Sequence, residues 1–408
     1  MQGKRVGLSV LAIVLMGSGV QADPLYSIKD LTPTGYTGSV AFDINANGDA
    51  VGVASRFVSG SVEEAFFFYD HSAGTSTPIG VGTLTPRNTI VGTGFRNIAI
   101  NDSGEIVGTA RFLAGPTETR GFLYSGGTSG TFTNLGTLPG LTATGIRPAS
   151  DALDINATGF ITGTATSGAG TIPTETDNID VYLNTGPPLT DLDTDTSVAT
   201  RGDLGRAVNN AGLVVGRSAS GKAASFSGAT TTELLAVTSE AADSSVAYDL
   251  NELGEIAIEN STDSSALIYD TSDSSLTFIP QIGTGNRMSP RGINESGDVV
   301  GVGDRGMGLS DEGRGFIYDA TTMTSYILED HIDDLSVPAV SGLGDWEILR
   351  TAWAINDLGW IVGDGERRFD GNTFPTDRAY LLIPVPEPAS VAVVAALGGL
   401  LLRRRQNV

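Results

Sequence analysis

The sequence predicts an all-β, seven-bladed β-propeller of four-stranded blades, followed by a C-terminal membrane helix. Three observations carry the propeller. A signature, seen as Ile100-Asn101-Asp102-Ser103-Gly104-Glu105-Ile106-Val107-Gly108, returns seven times at spacings of 42 to 62 residues, in or somewhat above the range of propeller blades. A later apolar run in each repeat lacks alternation, as strands covered on both faces do. The seventh repeat lacks its last strand, while an unpartnered strand stands before the first.

In chain order, residues 1–22 read as a secretory signal peptide. Lys4 and Arg5 form its basic start, Val6 to Met16 its apolar centre, and Val20-Gln21-Ala22 its cleavage site. The propeller is expected over 23–384 and a sorting tail over 385–408. Leu25-Tyr26-Ser27-Ile28-Lys29-Asp30-Leu31 is a short alternating strand with no hairpin partner. It is expected to complete the last blade and close the ring, which removes an open sheet edge.

Each repeat then has one order. Strand A enters an Asn-x-x-Gly turn: Asn45 with Gly48, Asn101 with Gly104, Asn156 with Gly159, Asn209 with Gly212, Asn251 with Gly254, Asn294 with Gly297, and Asn356 with Gly359. Asn at the start of such a turn bonds the backbone ahead, and Gly at the fourth position accepts positive φ, so strands A and B form a hairpin. Strand B carries an apolar pair and, in six copies, a second glycine: Gly52, Gly108, Gly163, Gly216, Gly301 and Gly363, with Ile258 in the fifth. Strand C is the apolar run, as in Ala65-Phe66-Phe67-Phe68-Tyr69, and strand D follows a short polar turn, as in Thr131-Phe132-Thr133-Asn134-Leu135.

The connections are unequal. The A–B and C–D turns are short. Segments 55–64, 111–120, 166–178, 304–314 and 364–378 (B–C), with 82–96 and 138–150 (D–A), are long and irregular. A binding site is expected on the rim that they share.

Composition excludes several classes. With no cysteine and only His71 and His331 among 408 residues, disulfides, thiolate metal sites and a histidine triad have no basis. The formal charge of −23 repels nucleic acid and anionic lipid. No catalytic residue, resident metal or cofactor is expected; calcium, as a matrix crosslinker, is the one ion the composition leaves open. Asp43-Ile44-Asn45-Ala46-Asn47-Gly48-Asp49 resembles a calcium loop but has Ala54 where the distal carboxylate belongs. Asp191-Leu192-Asp193-Thr194-Asp195, at the end of strand D of repeat three, reads first as a solvated acidic loop.

Propeller glycosidases use paired rim carboxylates, and Glu118, Asp177, Asp311, Glu312 and Glu366 fall in the long segments with nothing to pair them. A glycoside-active enzyme is therefore the alternative to a binding or structural protein. Trp353 and Trp360 lie in strands A and B and are expected in the core. Trp346, in the connection before strand A, is the expected ligand contact.

At the C-terminus, Val385-Pro386-Glu387-Pro388 precedes an apolar run over 389–402 and the cluster Arg403-Arg404-Arg405. The run is short for a bilayer span, and the arginines would stay cytoplasmic. This tail closely resembles the PEP-CTERM sorting signal. The resemblance implies processing by an exosortase-type membrane enzyme in bacteria that make exopolysaccharide, often in biofilms; similar tails occur on some ice-binding proteins. The repeats resemble the extracellular HAF repeat family, which pairs Ile-Asn-x-x-Gly-x-Val-Val-Gly with a His-Ala-Phe-like strand. Ala65-Phe66 and Gly121-Phe122 replace the histidine pattern here. Together the resemblances imply bacterial export to the cell surface or matrix, transient membrane anchoring through the tail, and exopolysaccharide or other surface proteins as partners.

Overall fold

Seven antiparallel sheets pack one on the next, and the seventh packs on the first, so the chain closes a ring. This computed structural model describes residues 25–385 except 81–83, 87–97, 113–118, 139–148, 167–178, 193–202, 229, 236–243, 285–286, 305–312, 333–344 and 370–374. The segment expected to be a signal peptide (1–22), Pro386, Glu387 and Pro388, the run 389–402 and Arg403 to Arg405 lie outside the described residues. Among the described residues no helix is long and apolar enough to cross a membrane.

Among the described residues β1 (Tyr26–Asp30) comes first, and blade 1 follows as β2 (Gly38–Ile44), β3 (Ala50–Val58), β4 (Ser61–Asp70) and β5 (Thr75–Ile79). Blade 2 holds β6 (Leu84–Pro86), β7 (Ile98–Ile100), β8 (Ile106–Phe112), β9 (Thr119–Ser125) and β10 (Thr131–Asn134). Blade 3 holds β11 (Ser150–Ile155), β12 (Ile161–Thr166) and β13 (Ile179–Asn184). Blade 4 holds β14 (Leu204–Val208), β15 (Val214–Arg217), β16 (Ala223–Ser227) and β17 (Thr230–Glu233). Blade 5 holds β18 (Ser245–Leu250), β19 (Glu255–Asn260), β20 (Ser265–Asp270) and β21 (Leu276–Phe278). Blade 6 holds β22 (Met288–Ile293), β23 (Val299–Gly303), β24 (Arg314–Asp319) and β25 (Thr324–Ile327), and blade 7 holds β26 (Asp345–Ile355), β27 (Ile361–Arg368) and β28 (Thr376–Pro384).

Blade 7 takes its outer strand from the start of the chain. β1 pairs with β28 from Tyr26↔Pro384 to Asp30↔Tyr380. An ion pair of Arg367 with Asp30 at 2.7 Å and burial of Tyr26 and Leu31 hold the closure.

The core is distributed. Among the described residues the buried apolar side chains fall into seven clusters, one at each blade junction. Strand C therefore buries both faces, Phe66 and Phe68 toward blade 2 and Phe67 and Tyr69 toward blade 7, which is why its sequence lacks alternation.

Three local departures from the sequence-based expectation stand out. In blade 2, β6 and β7 both pair with β8, so residues 84–86 of the 82–96 segment form a strand beside the one that enters the turn. Blade 3 shows three strands among the described residues, with strand D reduced to the bridge Tyr182↔Asp191. Segment 364–378 is largely strand, with β27 and β28 paired out to Arg367↔Thr376, and segment 55–64 is likewise no irregular loop: β3 and β4 stay paired out to Val58↔Ser61. Ser59 (φ 50) and Gly60 (φ 89) close that hairpin, as a tight two-residue turn requires.

Candidate functional site

The Asn-x-x-Gly face is built for cohesion. In blade 1, the Asn45 side-chain oxygen accepts the N–H of Asn47 at 3.0 Å and of Asp49 at 2.9 Å. The turn glycine takes positive φ in every blade, as the spacing predicts: Gly48 (82), Gly104 (76), Gly159 (84), Gly212 (79), Gly254 (86), Gly297 (79) and Gly359 (73). Each of these glycines also donates its N–H to the carbonyl of its own turn asparagine, from Gly48 to Asn45, Gly104 to Asn101, Gly159 to Asn156, Gly212 to Asn209, Gly254 to Asn251, Gly297 to Asn294 and Gly359 to Asn356. A side chain that replaced any of them would have to adopt the left-handed conformation that closes the turn.

Six of the asparagine side-chain amides then reach the next blade. Asn45 donates to the carbonyl of Asn101, Asn101 to Asn156, Asn156 to Asn209, Asn251 to Asn294, Asn294 to Asn356, and Asn356 back to Asn45. These asparagines are buried.

Carboxylates on this face serve the same end. Asp102 accepts the N–H of Ala46, Glu252 that of Asn210, Glu295 that of Glu252 and Asp357 that of Glu295. Burial raises the Glu252 carboxyl above its usual range, and the charges of Glu295 and Asp357 add to the rise. In the calcium-like run, Asp43 accepts the N–H of Ile100 from blade 2 and Asp49 that of His71. Both acids are thus engaged with backbone amides. Among the described residues no group of three or more His, Asp or Glu is arranged to hold a metal ion; Asp193 and Asp195 lie outside them.

The second glycine has a different reason. A Cβ on Gly163 would stand 2.1 Å from the Asp151 carbonyl and 2.9 Å from the Tyr182 hydroxyl. That hydroxyl donates to the same carbonyl at 2.6 Å. The glycine lets a strand C aromatic lie over strand B, as at Gly52↔Phe67, Gly301↔Phe316 and Gly363↔Tyr380. Blade 5 replaces the pair by Ile258↔Leu267, and the bulk moves to the other strand.

Strand A also carries a bulge three residues before the turn asparagine. Register skips Phe42, Leu153, Arg206, Tyr248, Arg291 and Trp353. Phe42 meets Trp353 edge-on at 5.1 Å, Arg291 lies over Trp353 and Tyr248, and Arg206 lies over Tyr248 at 4.8 Å. These side chains link blades 1, 7, 6, 5 and 4 around the middle of the ring. Burial lowers the Arg206 guanidinium to about 9, and cations so placed gain from an aromatic face.

On the opposite rim the blades differ, and there a cavity of about 760 Å³ opens over the inner strands of blade 1, flanked by blades 2 and 7. Val40, Phe42 and Val53 are its apolar lining, Ser55 and Thr119 its hydroxyls, and Glu64 and Asp377 its carboxylates. Asp364 lies close behind. Its carboxylate accepts the Trp353 indole N–H at 2.8 Å, and Trp353 packs on Phe42. Burial raises Asp364 to about 6, opposed by the indole bond and reinforced by Asp377. Arg350 pairs with Glu366 and stands 3.8 Å from Asp377.

Trp346 requires a correction. It lies within β26 rather than in the connection before it, is 8% exposed, and packs on Tyr380 with Arg367 over its ring. The protein itself occupies the ring's surroundings, so it cannot stack on a ligand. Trp353 and Trp360 are half-buried, the latter against His71 at 4.6 Å. Of the rim carboxylates, Glu366 is paired with Arg350; Glu118, Asp177, Asp311 and Glu312 lie outside the described residues. Sequence reasoning missed Asp364, whose only signal was its place directly after the second glycine. It also missed Phe57 and Val62, placed symmetrically about Ser59-Gly60.

Residues 24–145 match a family described as a protein of unknown function (DUF3466). No curated protein matches. Among solved structures, the chain is similar to YCF48 bound to a D1 peptide, with 11% identity, 90% of this chain and 97% of that chain covered, and a TM-score of 0.44. A puromycin-hydrolyzing peptidase of Mycobacterium tuberculosis gives 13%, 87%, 56% and 0.46 in the same order. Sqt1 from Chaetomium thermophilum gives 8%, 88%, 100% and 0.41. At these identities and scores the likenesses carry no chemistry to this chain.

Proposed function

We propose that this chain is an exported bacterial β-propeller with a binding and structural role, rather than a catalytic one, at the cell surface or in an exopolysaccharide matrix. Residues 1–22 direct export, and the PEP-CTERM-type tail anchors the chain transiently in the membrane until an exosortase-type enzyme processes it. The repeats are of the HAF type, and the rim holds the ligand.

The observation that supports this most is where the propeller begins and ends. The compact unit spans Tyr26–Val385, so it starts just after the sequence-predicted leader and stops where the sorting tail is expected to begin. Removing both sorting segments would leave every described strand in place, because β1 and β28 carry the closure. The rim cavity gives such a body somewhere to bind.

The test is fractionation of a bacterium that has an exosortase-type enzyme and expresses the full chain. The wild-type protein is expected at the surface or in the matrix, shortened at both ends. Pro386→Ala with Glu387→Ala and Pro388→Ala is expected to leave the tail uncut and the chain in the membrane fraction. A wild-type chain that stays cytoplasmic with its N-terminus intact overturns the reading.

A further inference from the structure

The β3–β4 hairpin continues past the body of blade 1 and ends in exposed apolar side chains. Phe57 is 70% exposed and Val62 65%. They are directly opposed across the two strands, an arrangement that holds both side chains on one face. Strand alternation adds the decisive placement: Ser55 and Phe57 share a face of β3, and Val62 and Glu64 share that same face of β4. Ser55 and Glu64 line the cavity. Phe57 and Val62 therefore extend one wall of the cavity outward.

The hairpin is stiffened for that position. Arg56 pairs with Glu63 at 3.0 Å on the opposite face, and the Arg56 guanidinium lies over the Tyr36 ring at 5.0 Å.

We propose that this wall and the cavity beneath it form one binding site for an uncharged polysaccharide, with Phe57 stacking on a sugar ring and Glu64 and Asp377 accepting its hydroxyls. This rests on the binding role proposed above and names its ligand class. The ligand must present an apolar face and hydroxyl donors within one short unit, since an exposed aromatic ring and the Glu64 carboxylate lie along the same wall and Asp377, from blade 7, lines the cavity beside them. A sugar ring has both. Polyanions are excluded by charge: the site contributes two carboxylates, Asp377 is 58% exposed, and the whole chain carries −23. Phe57 takes the part that sequence reasoning assigned to Trp346, from an exposed position.

The experiment is affinity electrophoresis of the full-length chain through gels containing dextran, mannan or cellulose-type β-glucan, with alginate as the anionic comparison. The wild-type chain is expected to be retarded by at least one neutral polymer and not by alginate. Phe57→Ala is expected to weaken retardation about tenfold and Phe57→Trp to restore it. Glu64→Gln is expected to weaken it less. Both Phe57 variants should melt as the wild type does, because the side chain is exposed. Neutral-polymer binding that survives Phe57→Ala overturns this site while leaving the binding role intact. Equal binding to alginate overturns the uncharged ligand class. No retardation by any polymer overturns this site and the polysaccharide reading together.

Discussion

The two faces of the ring differ in how much they repeat. On the turn face the same asparagine and glycine return in every blade, and asparagine amides reach from blade to blade. Toward the opposite rim, within strand B, the residue directly after the second glycine or its replacement is Val53, Thr109, Thr164, Arg217, Glu259, Val302 or Asp364. Uniform chemistry sits where each blade must dock on a like neighbour. Variation sits where the fold leaves side chains free to differ, and the cavity lies on that side.

The largest expected effect lies between the faces, at the glycine that both depend on. Gly163→Ala forces a Cβ to 2.1 Å from a backbone carbonyl, and about 4 kcal/mol of stability should be lost as strands A and B separate. Chemical denaturation measures it. A loss below about 1 kcal/mol would mean that strand A can move, and that the close approach does not restrict the position to glycine.

Next comes the turn face itself. Asn156 accepts from Thr158 and Phe160 and donates to the Asn209 carbonyl. At roughly 1 kcal/mol per buried bond, Asn156→Ala should cost about 3 kcal/mol, and Asn156→Asp should keep the local turn while losing the donation to blade 4. Melting the two variants side by side separates the two roles. An Asn156→Asp chain that melts with the wild type would show that the link between blades contributes nothing.

The smallest effect is on the rim and depends on pH. Asp364 is raised from 3.8 to about 6 mainly by burial. The folded state therefore binds its proton more tightly than the unfolded chain does, and stability from this group is present below about 4 and lost as pH rises through about 6. That displacement is worth roughly 2 to 3 kcal/mol. Asp364→Asn, which still accepts the Trp353 indole proton, should gain stability relative to the wild type between about pH 4 and 7 in urea titrations. A difference that stays flat across that range would place the carboxyl in a wetter setting than the indole contact implies.

Asn45, Gly48 and their six counterparts were legible because a turn is local chemistry: side chain, amide and glycine lie within five residues. The same spacing counted the blades, and the spare segment at Tyr26 met the missing outer strand of blade 7. Trp346 and segment 55–64 were misread for one reason. Sequence marks a departure from the repeat but not whether the departing residues extend a strand or leave it, and β26 and β3–β4 both extend.

Short-range spacing was thus enough for the repeat, its turns from Gly48 to Gly359, and the strand that closes the ring, because each of these is written in neighbouring residues or in the count of them. Packing in three dimensions was needed to bring Asn356 to Asn45, to set Tyr182 against Gly163, to bond Asp364 to the Trp353 indole, and to stand Phe57 over a cavity lined by Asp377. Those relations join residues 11 to 320 positions apart. Which of them meet depends on the direction each strand faces and on how the blades pack, and a one-residue change of register would reverse every one of those faces.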